Sequence, residues 1–265
     1  MPSRERPKPP AGGVKASYPG FIAPALATSI TKVPSGERWI HEIKFDGYRV
    51  QVHIKDAAVT VFTRRGNDWT KRFKKIADDA WHIDAGSAII DGEVVAPAAD
   101  GTTDFSVLQN ELKGRSTKIV MVAFDLLYLN GYDLRKLPLI ERKAHLKTLI
   151  AKTAIQFSES FEIDGPAMFK HACKTGLEGV VSKVRDSRYP SGRSNDWVKE
   201  DMRPERDADQ SRVRTRRQQM GRPLSGQTQG GRFDLCREGR PRFRQGQRQR
   251  TTDASQAADQ EDPAL

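Results

Sequence analysis

The sequence predicts an α+β domain, with antiparallel sheets flanked by helices. Three observations point to it. Strand-like and helix-like segments alternate from residue 19 to residue 199, the first strands are separated only by short turns, and apolar content is ordinary up to residue 199 and drops sharply beyond it.

Taken in order, Trp39–Phe45 and Tyr48–Ile54 are rich in β-branched and aromatic residues and flank Asp46-Gly47, a favoured hairpin pair. Val59–Thr63 follows after Lys55-Asp56, so the three segments read as an antiparallel meander. Trp69–Trp81 places Trp69, Phe73, Ile76, Ala77 and Ala80 at helical spacing, with Lys and Asp on the other face. The apolar runs Ala88–Val95 and Ile119–Leu129 are too long for simple alternation and read as buried strands. Leu139–Ala151 and Pro166–Lys174 read as amphipathic helices, the second closed by Gly176. Glu178–Val184 and Trp197–Lys199 read as short strands.

Charge marks the ends of this unit. Residues 1–199 hold 18 Lys and 13 Arg against 23 acids, whereas residues 200–265 hold 14 Arg, 11 acids and no Lys. Only 8 of those last 66 residues are Val, Ile, Leu, Met, Phe, Trp or Tyr. That is too little apolar surface to offset chain entropy, so 200–265 is expected to be a disordered Arg/Gln-rich tail. Residues 1–18, rich in Pro and basic side chains, read as a flexible basic arm, leaving 19–199 as the folded domain.

The net charge of +11 points to a polyanionic partner, most simply nucleic acid. No run approaches the ~18 apolar residues of a membrane span, which predicts a cytoplasmic protein with no membrane partner. Two cysteines, Cys173 and Cys236, are too few for a disulfide framework or a zinc site by themselves.

Several stretches could carry chemistry. In Glu42-Ile43-Lys44-Phe45-Asp46-Gly47-Tyr48-Arg49 a lysine sits among apolar strand residues beside a tight turn. An amine attacks only when neutral, so a nucleophilic Lys44 needs burial or nearby positive charge; Arg49, Arg64, Lys183 and Lys199 could supply it if the fold gathers them. The same tetrad alone also suits a strand-end lysine beside a hairpin. Arg64 lies in a basic turn suited to a phosphate or a ribose. Glu93, in Asp91-Gly92-Glu93, is a carboxylate inside an apolar run, costly to bury unless it meets a ribose, a metal or a cation. Phe124 could stack on a base or simply belong to the core. Glu178 and Lys183, five apart, should face opposite sides of one strand.

This ordered set resembles the adenylation domain of ATP-dependent DNA ligases, most closely the bacterial ligase D type. The resemblance rests on Lys44-Phe45-Asp46-Gly47 with Arg49, on the segments at Arg64, Glu93, Phe124 and Glu178–Lys183, and on Trp197-Val198-Lys199. It implies that Lys44 takes AMP from ATP as a phosphoramidate, that Glu42 faces the adenine amino group, and that Phe124 stacks on the base. It implies further that Arg49 and Arg64 contact the ribose and phosphate, that Glu93 binds the ribose or the metal, that Lys183 and Lys199 contact the α-phosphate, and that Glu178 assists the divalent metal, Mg²⁺ or Mn²⁺. AMP would then pass to the 5′-phosphate of nicked or broken duplex DNA, and the 3′-hydroxyl would displace it in DNA repair, alongside DNA end-binding proteins at the nucleoid. RNA ligases and capping enzymes share the lysine motif, and a non-catalytic nick-binding protein would share the fold.

The resemblance ends after Lys199. The family continues into an OB-fold barrel, which nothing in 200–265 resembles, and many relatives carry a second lysine where this chain has Asp201. An abrupt switch to Arg and Gln is what a frameshifted, GC-rich gene would give. Loss of the barrel would slow self-adenylation and impair nick sealing more.

Overall fold

The computed structural model describes residues 9–97, 103, 105–114 and 118–202. Among these residues two sheets carry the fold, with helices packed on their outer faces.

The larger sheet is built around β4 (Tyr48–Lys55), which pairs antiparallel with β5 (Ala58–Thr63) on one side and with β6 (Ser87–Val95) on the other. Beyond β6 come β7 (Val120–Leu129), β8 (Tyr132–Asp133) and β1 (Val14–Lys15), all antiparallel to their neighbours, while β9 (Gln156–Phe157) joins β7 in parallel. The smaller sheet runs β2 (Ala25–Ser29), β11 (Gly192–Asp201), β10 (Gly179–Val184), β3 (Trp39–Ile43), with β2 and β11 parallel.

The expected meander is therefore corrected. β4 and β5 form a hairpin whose turn residues Asp56 and Ala57 both have positive φ, at 51° and 63°. Asp46-Gly47, by contrast, is not a hairpin turn. β3 pairs with β10, so the chain crosses there from the smaller sheet to the larger. Gly47 serves close approach: a Cβ on it would lie 2.2 Å from the Val94 carbonyl oxygen on β6.

Helix α1 (Lys74–Trp81) covers β4 and β5 with Ile76, Ala77 and Ala80 and is shorter than the expected Trp69–Trp81, because Trp69–Phe73 forms turns. Helix α2 (Phe105–Glu111) contributes Leu108 to the same core. Helix α3 (Leu139–Ile150) packs on β7 and β9. Helix α4 (Gly165–Thr175) packs Met168 and Ala172 against Val180 of β10 and ends at Gly176, whose φ of 69° is open to glycine at little cost. A second core fills the space between the sheets, with Ile40, Ile89, Phe124, Leu127 and Trp197. Each such side chain contributes roughly 1.5–3 kcal/mol when fully buried.

Residues 9–18, expected within a flexible arm, are held. Val14–Lys15 is strand β1, and the Tyr18 hydroxyl meets His53 Nδ1 at 2.8 Å. Just beyond, Gln51 Nε2 donates to the Ile22 carbonyl at 2.6 Å, which closes this segment over the polar face of β4. The expected arm segment 1–8 and the tail beyond residue 202 lie outside the described residues; β11 itself continues to Asp201. Among the described residues no helix is long and apolar enough to cross a membrane.

Candidate active site

Lys44 follows the last residue of β3, and its backbone N–H donates to the Gly179 carbonyl at 3.0 Å. Its side chain is largely buried. Nζ contacts Glu178 Oε1 and lies 3.1 Å from Asp201 Oδ1, and Asp201 Oδ2 is 3.2 Å from Lys199 Nζ. Burial works to lower the Lys44 pKa, but Glu178 and Asp201 outweigh it and hold the amine above its ordinary value. This corrects the expected ring of basic neighbours, because the groups touching Lys44 are carboxylates. Glu178 Oε2 is buried without a hydrogen-bond partner among the described residues, a lone pair oriented for a cation or donor that is not part of the chain's own network.

A second cluster is fully buried. Glu42 lies diagonally across the β3–β10 ladder from Lys183, since Glu42 is opposite Val181 and Lys183 is two residues further on. Its carboxylate accepts from Lys143 Nζ at 2.9 Å, Lys183 Nζ at 2.9 Å and Ser158 Oγ at 2.8 Å. Burial would raise this carboxyl, but the two lysines more than offset it and hold it below the usual range. Burial, with Lys143 nearby, lowers Lys183 to about 8 against the pull of Glu42. The side chains of Glu178 and Lys183 thus serve different clusters, as their spacing on the strand implied.

The third group lies on the larger sheet. Arg49 and Glu93 are partners across β4 and β6. Arg49 grips Asp91 with two hydrogen bonds of 2.7 Å, and the Tyr189 hydroxyl donates to Asp91 at 2.5 Å. Burial pushes the Glu93 carboxyl up to about 8; Arg49 and Lys44 oppose the rise, and Asp91 and Glu178 add to it. Glu93 and the unpartnered Glu178 oxygen are the carboxylates here that could hold a divalent cation. No cluster of three or more metal-ligating side chains is assembled among the described residues, so Glu93 and Glu178 would share such an ion with a bound phosphate.

Phe124 joins the second and third groups. It is buried in the inter-sheet core, with the Arg49 guanidinium 4.4 Å and Lys183 Nζ 4.5 Å from its ring centre. The core reading is the one realised here. Arg64 is exposed at the end of β5, its N–H donating to the Arg49 carbonyl. The structure thus gathers Lys44, Glu178 and Lys199 at one point, Glu42 and Lys183 at another, and Arg49 and Glu93 at a third. A pocket of ≈ 50 Å³ beside Lys44 is lined by Ile43, Phe45, Thr103, Leu177 and Glu178.

Sequence reasoning missed Lys143, Asp91 as the partner of Arg49, and Tyr189. A signal for Lys143 existed: Leu139, Arg142, Lys143, Leu146 and Ile150 fall on one helical face, so two cations sit where α3 meets the core.

Residues 23–200 match the family described as the ATP dependent DNA ligase domain. The multifunctional non-homologous end joining protein LigD of Pseudomonas aeruginosa is 40% identical over 191 residues, 71% of this chain and 23% of that protein. The SPbeta prophage-derived DNA ligase-like protein LigB of Bacillus subtilis is 32% identical over 183 residues, 68% of this chain and 67% of that protein. Among solved structures, a mycobacterial DNA ligase D complexed with ATP and MES superposes with a TM-score of 0.62 at 35% identity, over 68% of this chain and 60% of that one. The ligase domain of M. tuberculosis LigD gives 0.61 at 36% identity, over 68% and 59%. The chain spans only 23% to 24% of the length of the curated LigD relatives.

Proposed function

The chain belongs to the ATP-dependent DNA ligase domain family, and from that premise we propose that it catalyses adenylate transfer from ATP to Lys44 and onward to a 5′-phosphate of nicked or broken DNA. The observation that carries this reading is the placement of Lys44: a largely buried amine at the crossing between the two sheets, touching Glu178 and electrostatically coupled to Glu93.

Lys44 would attack the α-phosphorus. The Nζ–P bond forms, the bond from phosphorus to the bridging oxygen breaks, and pyrophosphate leaves with that electron pair. The ammonium must lose one proton before attack and a second as the bond forms; Glu178, already in contact with Nζ, would accept the first, and the second would pass to solvent. Arg49, Arg64, Lys183 and Lys199 would balance charge around the phosphates and ribose, and Glu42 and Phe124 would meet the base. For Phe124 this requires Arg49 or Lys183 to move from its ring. A Mg²⁺ or Mn²⁺ ion held by Glu93 and Glu178 would supply positive charge for the phosphates. Phosphoryl transfer depends mainly on such positioning and charge.

Domain limits belong to this proposal as well. The adenylation unit would run from β1 (Val14–Lys15) to the end of β11 at Asp201, wider than the expected 19–199, and the residues beyond it would take the place of the OB-fold domain that the resemblance implies. The partners are DNA ends and the repair proteins that bind them.

The test is incubation with ATP labelled at the α-phosphate and Mg²⁺, followed by chase with nicked duplex DNA, with GTP and nicked RNA as controls. Covalent label on the wild-type chain and none on Lys44→Ala is the expected result. Equal label on both proteins would remove Lys44 from this role.

A further inference from the structure

Asp201 occupies an unusual position for an acid. It is the last residue of β11 and stands opposite Gly179 of β10, whose carbonyl in turn accepts the Lys44 N–H. Lys44, Gly179 and Asp201 are therefore neighbours across three adjacent strands. The Lys44 stem passes over Gly179, where an added Cβ would lie 3.2 Å from Lys44 Cδ. At the far end of that stem Nζ reaches Asp201 Oδ1 at 3.1 Å, while Oδ2 holds Lys199 Nζ at 3.2 Å. Lys199 and Asp201, two residues apart, share one face of the strand.

One carboxylate thus ties down two amines, and Glu178 takes the remaining contact with Lys44. Lys44 and Lys199 against Glu178 and Asp201 give a formal charge of zero at the point where a polyphosphate would have to dock. Without Asp201 the same group carries one net positive charge, Lys199 loses this ion pair, and Lys44 keeps only its contact with Glu178.

We propose that Asp201 is a restraining residue of this site, holding Lys44 and Lys199 in an ion-paired cluster that a nucleoside triphosphate must break open in order to bind. This rests on Lys44 being the AMP acceptor. Asp201 acts first on the affinity for ATP, because its contacts must be surrendered when the phosphates arrive. Its side chain is 40% exposed and sits at a strand end, so its replacement leaves the core untouched.

The experiment measures equilibrium binding of ATP and the ATP dependence of covalent labelling for the wild-type chain, Asp201→Asn, Asp201→Lys and Asp201→Glu, with Lys44→Ala in parallel. Asp201→Asn is expected to bind ATP about 3- to 10-fold more tightly, the scale set by losing two partly exposed ion pairs. Asp201→Lys should bind at least as tightly as Asp201→Asn, and both gains should shrink in high salt. Asp201→Glu, which keeps the carboxylate, should stay near wild type. Unchanged or weaker ATP binding by both Asn and Lys variants overturns the inference, as does loss of the fold in Asp201→Asn, which would make the residue structural. Failure of the underlying reading is seen separately, as label that persists on Lys44→Ala or tighter ATP binding that brings no label on any variant.

Discussion

Lys143 Nζ on α3 lies 2.9 Å from Glu42 Oε1 on β3, although 101 positions separate them in the chain. With Lys183 on the other oxygen, one buried carboxylate serves two buried ammonium groups. Removing the acid leaves two uncompensated charges, whereas removing one lysine leaves a matched pair. Glu42→Gln should therefore cost about 3–5 kcal/mol of unfolding free energy and Lys143→Met only about 1–2 kcal/mol. Urea unfolding at neutral pH reads the order, and the reverse order would show that the carboxylate is not the hub.

Asp125 and Asp91 face each other across β6 and β7, yet both are fully buried. Like charges in that register repel, and each is tolerated because it holds its own arginine. Arg142 donates to both oxygens of Asp125 at 2.8 and 2.9 Å and to the Ser187 carbonyl at 2.9 Å. Arg142→Met should destabilise the fold by about 3–5 kcal/mol, and adding Asp125→Leu should recover much of the loss. A double variant no more stable than the single one would contradict this pairing.

His53 gives a pH dependence. Burial lowers its pKa to about 4, from 6.5 when unfolded. The unfolded chain therefore binds the extra proton between these values. Stability from this group is complete above pH 6.5 and is lost as pH falls toward 4, by about 3 kcal/mol in all. His53→Gln should flatten that part of the stability curve in a pH series of thermal melts.

Glu93 has the opposite sign. Its carboxyl is pushed up to about 8, so the fold loses stability as pH rises from the ordinary carboxylate range through 8. Glu93→Gln should stabilise the protein at pH 8, on the order of one to a few kcal/mol, while reducing labelling by about 10²–10³. Mg²⁺ should raise the Tm of wild type and leave the variant unmoved. An equal Mg²⁺ response in both would remove Glu93 from the metal site.

Local pattern carried most of the elements. β4, β6, β7, α3 and α4 lie within a residue or two of their expected limits, because long apolar runs and a glycine stop are local signals. Pairing was less legible. Asp46-Gly47 has the composition of a hairpin, and only the distant β10 and β6 show that β3 and β4 belong to different sheets. The same reason explains the site. Lys44, Glu178 and Lys199 were legible as chemistry-bearing residues, but the carboxylates around the amine depend on register between strands far apart in sequence. The short β8 and β9 offered two residues each, below what periodicity can detect.

The crossing at Asp46-Gly47 also has a mechanical consequence. Only four residues join Ile43 to Tyr48, so these two strand ends stay within the roughly 3.3–3.6 Å per residue that a chain can span, and Lys44 is tethered to both sheets at once.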